Sequence, residues 1–93
     1  MKVLFIINDA PYGSEKVYNV LRMAMTVKKE HQHMEIYIFL IGDALTSALK
    51  DHSTPQGYYN IERMLKAIVD KGGQVKVCKT CIEARGIKGH NLI

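Results

Sequence analysis

The sequence predicts an α/β domain with a parallel sheet flanked by helices, and three observations predict it. Two continuous apolar runs, Val3-Leu4-Phe5-Ile6-Ile7 and Ile36-Tyr37-Ile38-Phe39-Leu40-Ile41, have the composition of strands covered on both faces. Two further stretches carry apolar residues at helical spacing. The resulting order is strand, helix, strand, helix, helix, strand, helix. Crossover helices between strands make the sheet parallel, with right-handed connections.

Taken in order, the first strand ends in a loop from Asn8 to Gly13, marked by Pro11 and Gly13. A helix is predicted from about Ser14 to Lys29, because Val17, Val20, Leu21, Ala24 and Val27 form an i, i+3, i+4, i+7 stripe. Glu30-His31-Gln32-His33 is a polar break, and the second strand runs from Glu35 to Ile41. Gly42-Asp43 turns the chain, with Asp43 placed to cap a short helix through Ala44, Leu45, Ala48 and Leu49. Asp51 to Gly57 reads as a flexible loop without an apolar anchor. Asn60 then caps a helix with Ile61, Met64, Leu65, Ile68 and Val69 on one face, stopped by Gly72-Gly73. Val75 and Val77, β-branched and two apart, mark the third strand.

The 93 residues make one domain, expected to span 1–93, with no internal repeat, linker or low-complexity tract. At 47% apolar and 24% charged residues, the composition is ordinary for a globular chain. No apolar run approaches a membrane span, and Met1-Lys2-Val3-Leu4 opens directly into a strand pattern without the features of a secretory signal. The expected compartment is the cytoplasm. There, two cysteines are free thiols, metal ligands or redox-active rather than a structural staple. The net charge of +4 is uneven: residues 1–70 balance, whereas Lys71, Lys76, Lys79, Arg85 and Lys88 face Glu83 alone. That excess surrounds the cysteines, where it favours thiolate and attracts small anions. No basic stripe with interleaved aromatics is present, so direct nucleic-acid binding is not expected.

The chemistry concentrates in Val75 to Gly86. Thr80 and Glu83 have capping-box spacing, which predicts Thr80 as N-cap, Cys81 as first helical residue and Gly86 as the helix stop. Cys78 and Cys81 then flank a helix N-terminus, whose free N–H groups stabilise a thiolate. The pair admits a persulfide-carrying nucleophile, a dithiol/disulfide couple, half a zinc site, or two small buried hydrophobes. Only His90 stands near to complete a zinc site, so no metal is expected, and nothing calls for an organic cofactor. Period two separates Cys78 from the face of Val75 and Val77, which weighs against burial for Cys78. For Cys81 both readings stay open.

Parallel topology sends every strand-to-helix loop to one edge of the sheet, where such folds bind ligands. Asn8 to Glu15, Gly42-Asp43 and Cys78 to Cys81 are therefore expected on one rim. Thioredoxin is disfavoured, since there is no Trp and neither Pro11 nor Pro55 stands where that fold needs its proline. Neither common phosphate-loop pattern occurs. The 9–15 loop lacks the look of a flavin phosphate loop, and Ser14 has no motif-placed His for a hydrolase triad. Asp43 is more often a helix cap than a catalytic acid, and Tyr12 lines a pocket or covers the sheet edge. Tyr58 and Tyr59 precede a helix and suit a partner subunit or a ligand equally. His31, His33 and His52 lie in polar loops and read as solvated.

Four stretches carry a resemblance: Ala10-Pro11-Tyr12-Gly13-Ser14-Glu15; Gly42-Asp43-Ala44; Gly57 with Tyr59-Asn60-Ile61; and Val77-Cys78-Lys79-Thr80-Cys81 with Arg85-Gly86-Ile87. Together, in register from Met1 to about Ile93, they resemble the DsrE/DsrF-like family and its YchN-like branch. The resemblance implies a three-layer flavodoxin-like fold that assembles as homotrimers or homohexamers. It also implies a part in sulfur relay, with the family's reactive cysteine falling on Cys78. Relatives continue past Ile93 with another helix and strand, so a chain ending here would leave part of the sheet uncovered and favour association through an exposed edge.

The function expected from these readings is a sulfurtransferase-like carrier holding sulfane sulfur on Cys78. Thr80, Lys79 and Arg85 would stabilise negative charge, and Pro11, Tyr12, Gly13 and Asp43 would shape the rim. Cys81 would resolve the persulfide or close a reversible disulfide. A thiol–disulfide redox protein, or an oligomeric binding protein without catalysis, are the alternatives. Expected partners are copies of the same chain and a sulfur donor or acceptor protein.

Overall fold

In the computed structural model, which describes residues 1–93, three strands form one parallel sheet in the order β1 (Lys2–Ile7), β2 (Glu35–Leu40), β3 (Gln74–Val77). The register pairs Val3, Phe5 and Ile7 with Ile36, Ile38 and Leu40, and the last two with Val75 and Val77. In a pleated strand these residues share one face. That face is the core side: Ile7, Ile36, Ile38 and Leu40 are buried in a single cluster with residues from every major helix. The α/β class and the parallel sheet agree with the sequence-based expectation.

The helices follow their apolar stripes. In α1 (Lys16–Glu30), Val17, Leu21 and Ala24 are buried at i, i+4, i+7. Its C-terminal end is held by Lys28, whose Nζ donates to the carbonyls of Gln32 and Met34 at 3.0 and 3.1 Å. In α2 (Ile61–Asp70), Ile61, Leu65 and Ile68 face the core, while Val69 lies 43% exposed at the edge of its predicted stripe. Asn60 is the N-cap, its side-chain oxygen accepting from the Arg63 N–H at 3.0 Å. Gly73 is required where α2 meets β3: a Cβ there would sit 2.5 Å from the Ile68 side chain and 2.9 Å from its carbonyl oxygen.

Three details depart from expectation. The segment after β2 is a 3-10 helix, Gly42–Ala48, with Ile41 rather than Asp43 at its N-cap position. The α1 helix begins at Lys16, two residues later than predicted, because Ser14 Oγ donates to Asp9 at 2.8 Å and that pair closes the preceding loop. The third concerns sheet cover. The opposite face of the sheet, carrying Leu4 and Ile6 at 57% and 64% exposure with half-buried Tyr37 and Phe39, has no helix over it within these residues. An unbroken apolar run reports that both faces are apolar, not that both are covered by the same chain. No helix is long and apolar enough to cross a membrane.

Candidate functional site

The site forms where β3 runs out. The Cys78 N–H still donates to the Leu40 carbonyl at 3.0 Å, extending the sheet by one residue. Its carbonyl already accepts from the Ile82 N–H at 3.1 Å, the first bond of the next helix. Cys78 is therefore the N-cap of α3 (Lys79–Ala84), with extended φ and ψ of −72° and 117°. This corrects the prediction that Thr80 caps the helix and Cys81 opens it. The sheet bond at Cys78 sets where the chain can begin to coil, and Thr80 falls inside the first turn with an exposed side chain.

This placement separates the two thiols. Both are half-buried and free. Cys81 packs against the core cluster, whereas Cys78, two residues after Lys76, has the phase of the open sheet face. Cys81 stands three residues on from Cys78, and no side-chain hydrogen bond caps the helix at Cys78. The Cys78 thiol is held below its ordinary value, first by the neighbouring Cys81 side chain and then by the nearby Cys81 backbone N–H. The Thr80 N–H and the Arg85 charge add to the effect, while partial burial opposes it.

The second element of the site arrives from the turn after β2. Gly42 has φ +61°, left-handed geometry that favours glycine, and its N–H donates to Cys81 Sγ at 3.2 Å. Asp43 beside it does not cap its helix. Asp43 Oδ1 accepts from Arg85 Nε and Nη2 at 3.0 and 2.8 Å, and Arg85 Nη1 also donates to the Cys81 carbonyl at 3.1 Å. The Asp43 carboxylate holds the Arg85 guanidinium more firmly charged, with smaller contributions from both sulfurs. Asp43, Arg85, Cys78 and Cys81 thus form one cluster, with Lys79 and Thr80 exposed on α3 beside it.

The 10–15 loop makes its bonds elsewhere. Pro11 is buried, and Gly13 turns the chain with φ +99°. No hydrogen bond or ion pair joins Pro11, Tyr12 or Gly13 to either cysteine. Tyr12 instead bonds to His52 Nδ1 at 2.7 Å, and its oxygen accepts from the Ile61 N–H at 3.0 Å. His52 Nε2 lies 3.1 Å from the Thr46 carbonyl, which can only accept. Nε2 therefore carries the proton, and Tyr12 donates to Nδ1. Tyr59 stacks between Tyr12 and Tyr18, with ring centroids 6.0 and 4.3 Å away.

His52 is thus no solvated loop residue, as its polar surroundings suggested, but the hub of a clasp over three segments. Its N–H also donates to the buried Glu62 carboxylate at 2.8 Å, and its carbonyl accepts from Asn60 Nδ2 at 3.2 Å. Sequence reasoning placed Gly42 on the rim with Asp43 but not its bond to Cys81, and it missed the roles of His52 and Glu62, which left no local signal.

No three His, Cys, Asp or Glu side chains converge to hold a metal. What the cluster holds is a half-buried thiol at a helix N-terminus and outside the core, with a second thiol and a guanidinium nearby.

Comparison with known proteins agrees with this architecture. The model of the DsrE/DsrF-like family matches residues 1–93. Protein YchN of Escherichia coli (strain K12) is 38% identical over 92 residues, covering 99% of this chain and 78% of that protein. An uncharacterized protein of Methanocaldococcus jannaschii is 40% identical over 93 residues, covering 100% and 79%. The crystal structure of the ychN protein from E. coli superposes with a TM-score of 0.92 at 38% identity, over 99% of this chain and 78% of that one.

Proposed function

The chain belongs to the DsrE/DsrF-like family, in its YchN-like branch, and on that premise we propose that it is a cytoplasmic sulfur-relay protein that carries sulfane sulfur as a persulfide on Cys78. The observation that carries this reading is the asymmetry of the thiols. Cys78 lies outside the core, and its anion is favoured by the Cys81 thiol, two backbone N–H groups and Arg85. In loading, the Cys78 thiolate attacks the outer sulfur of a donor persulfide R–S–SH. A new S–S bond forms to Cys78, the donor S–S bond breaks, and the donor leaves as a thiolate with the electron pair. In delivery, an acceptor thiolate attacks the outer sulfur of Cys78–S–SH, and Cys78 leaves as the thiolate. A thiol that ionises easily leaves easily, so the same environment serves both steps.

The carrier works as a homotrimer or homohexamer, which the uncovered apolar sheet face supports. Lys79 and Arg85 draw anionic sulfur to the cluster, and Asp43 holds Arg85 in place. The test is persulfide loading followed by intact mass. The wild-type chain is expected to gain one sulfur atom that Cys78→Ser does not gain. An unchanged wild-type mass refutes the reading. Formation of a disulfide in place of a persulfide favours thiol–disulfide exchange instead.

A further inference from the structure

The free edge of β3 turns backbone hydrogen-bonding groups into a cavity. The Cys78 N–H is bonded to the Leu40 carbonyl, so Cys78, Lys76 and Gln74 direct their amides at β2. Backbone direction alternates along a strand, which turns the N–H and C=O of Val75 and Val77 away from the sheet. No loop supplies them a partner. They border a cavity of about 720 Å³, within the range of about 300–1,000 Å³ common to ligand-holding sites. Its apolar lining comes from Val69 on α2, Val75 and Val77, and Leu92 and Ile93. The last two are held there by an antiparallel bridge to Leu49, in which the Lys50 N–H donates to Asn91 and the Ile93 N–H to Ala48, each at 2.8 Å. The rim is cationic. Lys50 and Lys76 are exposed and join no ion pair, Lys66 is held by Glu62 at 3.0 Å, and Asp70 is the one carboxylate side chain in the lining.

From this geometry we infer that the β3 edge is a docking site for an extended acidic segment of another protein, which adds to the sheet as a strand. Val75 and Val77 supply the main-chain bonds, and the cavity takes apolar side chains from alternate positions of the segment. Lys50 and Lys76 meet the carboxylates that stand between them. A lysine on a free edge ordinarily discourages strand pairing. Lys76 does so for a second copy of this chain, whose own free edge strands carry Lys2 and Lys76. For a strand of opposite charge it is an attraction instead. The inference goes beyond the sulfur-carrier reading and stands without it. Where both hold, they meet at one place. β3 runs directly into Cys78, and neighbouring strands lie about 4.8 Å apart, so the docked segment passes beside that residue.

The probe is a synthetic peptide with capped ends that alternates valine and glutamate over about six residues, one strand length. Added in excess to the isotope-labelled wild-type chain, it is expected to shift the amide signals of Val75 and Val77. Exchange of those two amides with deuterated solvent is expected to slow by about tenfold or more, with the amides of β1 unchanged. The same peptide with lysine in place of glutamate is expected to bind about tenfold more weakly. Lys50→Glu combined with Lys76→Glu is expected to reverse that preference. Methylation of alternate peptide nitrogens separates strand addition from charge attraction. One of the two methylated sets is expected to abolish binding and the other to be tolerated, because only every second amide faces β3.

All arms except the double variant use the wild type, so the test stands if that variant fails to fold. No binding of the glutamate peptide overturns the inference, as does equal affinity for the glutamate and lysine peptides. Equal loss from both methylated sets, or shifts confined to Leu4 and Ile6 on the open face, also overturn it. So does protection of Val75 and Val77 that grows with the concentration of the chain alone, which assigns the edge to a second copy. Uptake of sulfur by Cys78 plays no part in any of these outcomes, so docking and sulfur transfer fail or succeed separately.

Discussion

Arg85 is divided between the Asp43 carboxylate and the Cys81 carbonyl, and how firmly Asp43 holds it sets how much of its charge Cys78 feels. Asp43 takes two of its N–H groups, yet Asp43 is 70% exposed, so water weakens the pair. Arg85→Gln is expected to raise the pH midpoint of Cys78 alkylation by about half a unit, the scale of one partly exposed charge. Asp43→Asn leaves the guanidinium uncompensated and is expected to lower the midpoint by a similar amount. Both shifts shrink in high salt, which alkylation rates at two ionic strengths will check. At this scale the sequence was informative where chemistry is local. Strand phase, together with the family resemblance, favoured Cys78 over Cys81. Asp43 was mistaken for a cap because capping is read from neighbours in the chain, and its true partner lies 42 residues away.

The clasp around His52 shows how segments without apolar anchors are held. Glu62, on the first turn of α2, is buried; it receives the His52 N–H at 2.8 Å and the Lys66 ammonium at 3.0 Å. Asp51 just before has φ +68°, a left-handed conformation rare for a residue with a side chain, and its nearby N–H adds to what favours the Glu62 carboxylate. These bonds, led by His52, hold the Glu62 carboxyl below its ordinary 4.5. Its contribution to stability is therefore fully present above that pH and is lost as pH falls through the folded value. Glu62→Gln is expected to cost about 1–2 kcal/mol near neutrality, by urea unfolding, with the difference from wild type narrowing in acid. Tyr12→Phe strips a partner from both the Ile61 N–H and His52 Nδ1 and is expected to cost about 1–2 kcal/mol in the same measurement. The helices of this region were legible in their 3.6-residue stripes. The clasp was not, because Tyr12 and His52 are 40 residues apart and each looks ordinary alone.

Across the whole molecule, the sheet is covered on one face and open on the other, with β1 and β3 both free at their edges. Parallel sheets are seldom left bare, and each fully buried Leu or Ile contributes about 1.5–3 kcal/mol. On the proposed homo-oligomer reading, Leu4 and Ile6, more than half exposed within these residues, are the side chains a second copy would cover. Sedimentation velocity is expected to give a wild-type mass of three or six chains, and Ile6→Lys to shift it toward the monomer. A monomeric wild type at micromolar concentration would sink that expectation. By itself the sequence determined the parallel α/β architecture, the strand and helix stripes, and the place of both cysteines where the third strand gives way to a helix, because each follows from residue periodicity over a few turns of chain. Only the tertiary structure decided that Gly42 reaches Cys81, that Asp43 grips Arg85, that His52 is a hub and that one sheet face lies open. Those depend on which distant segments the closed core brings together, and no local spacing encodes that.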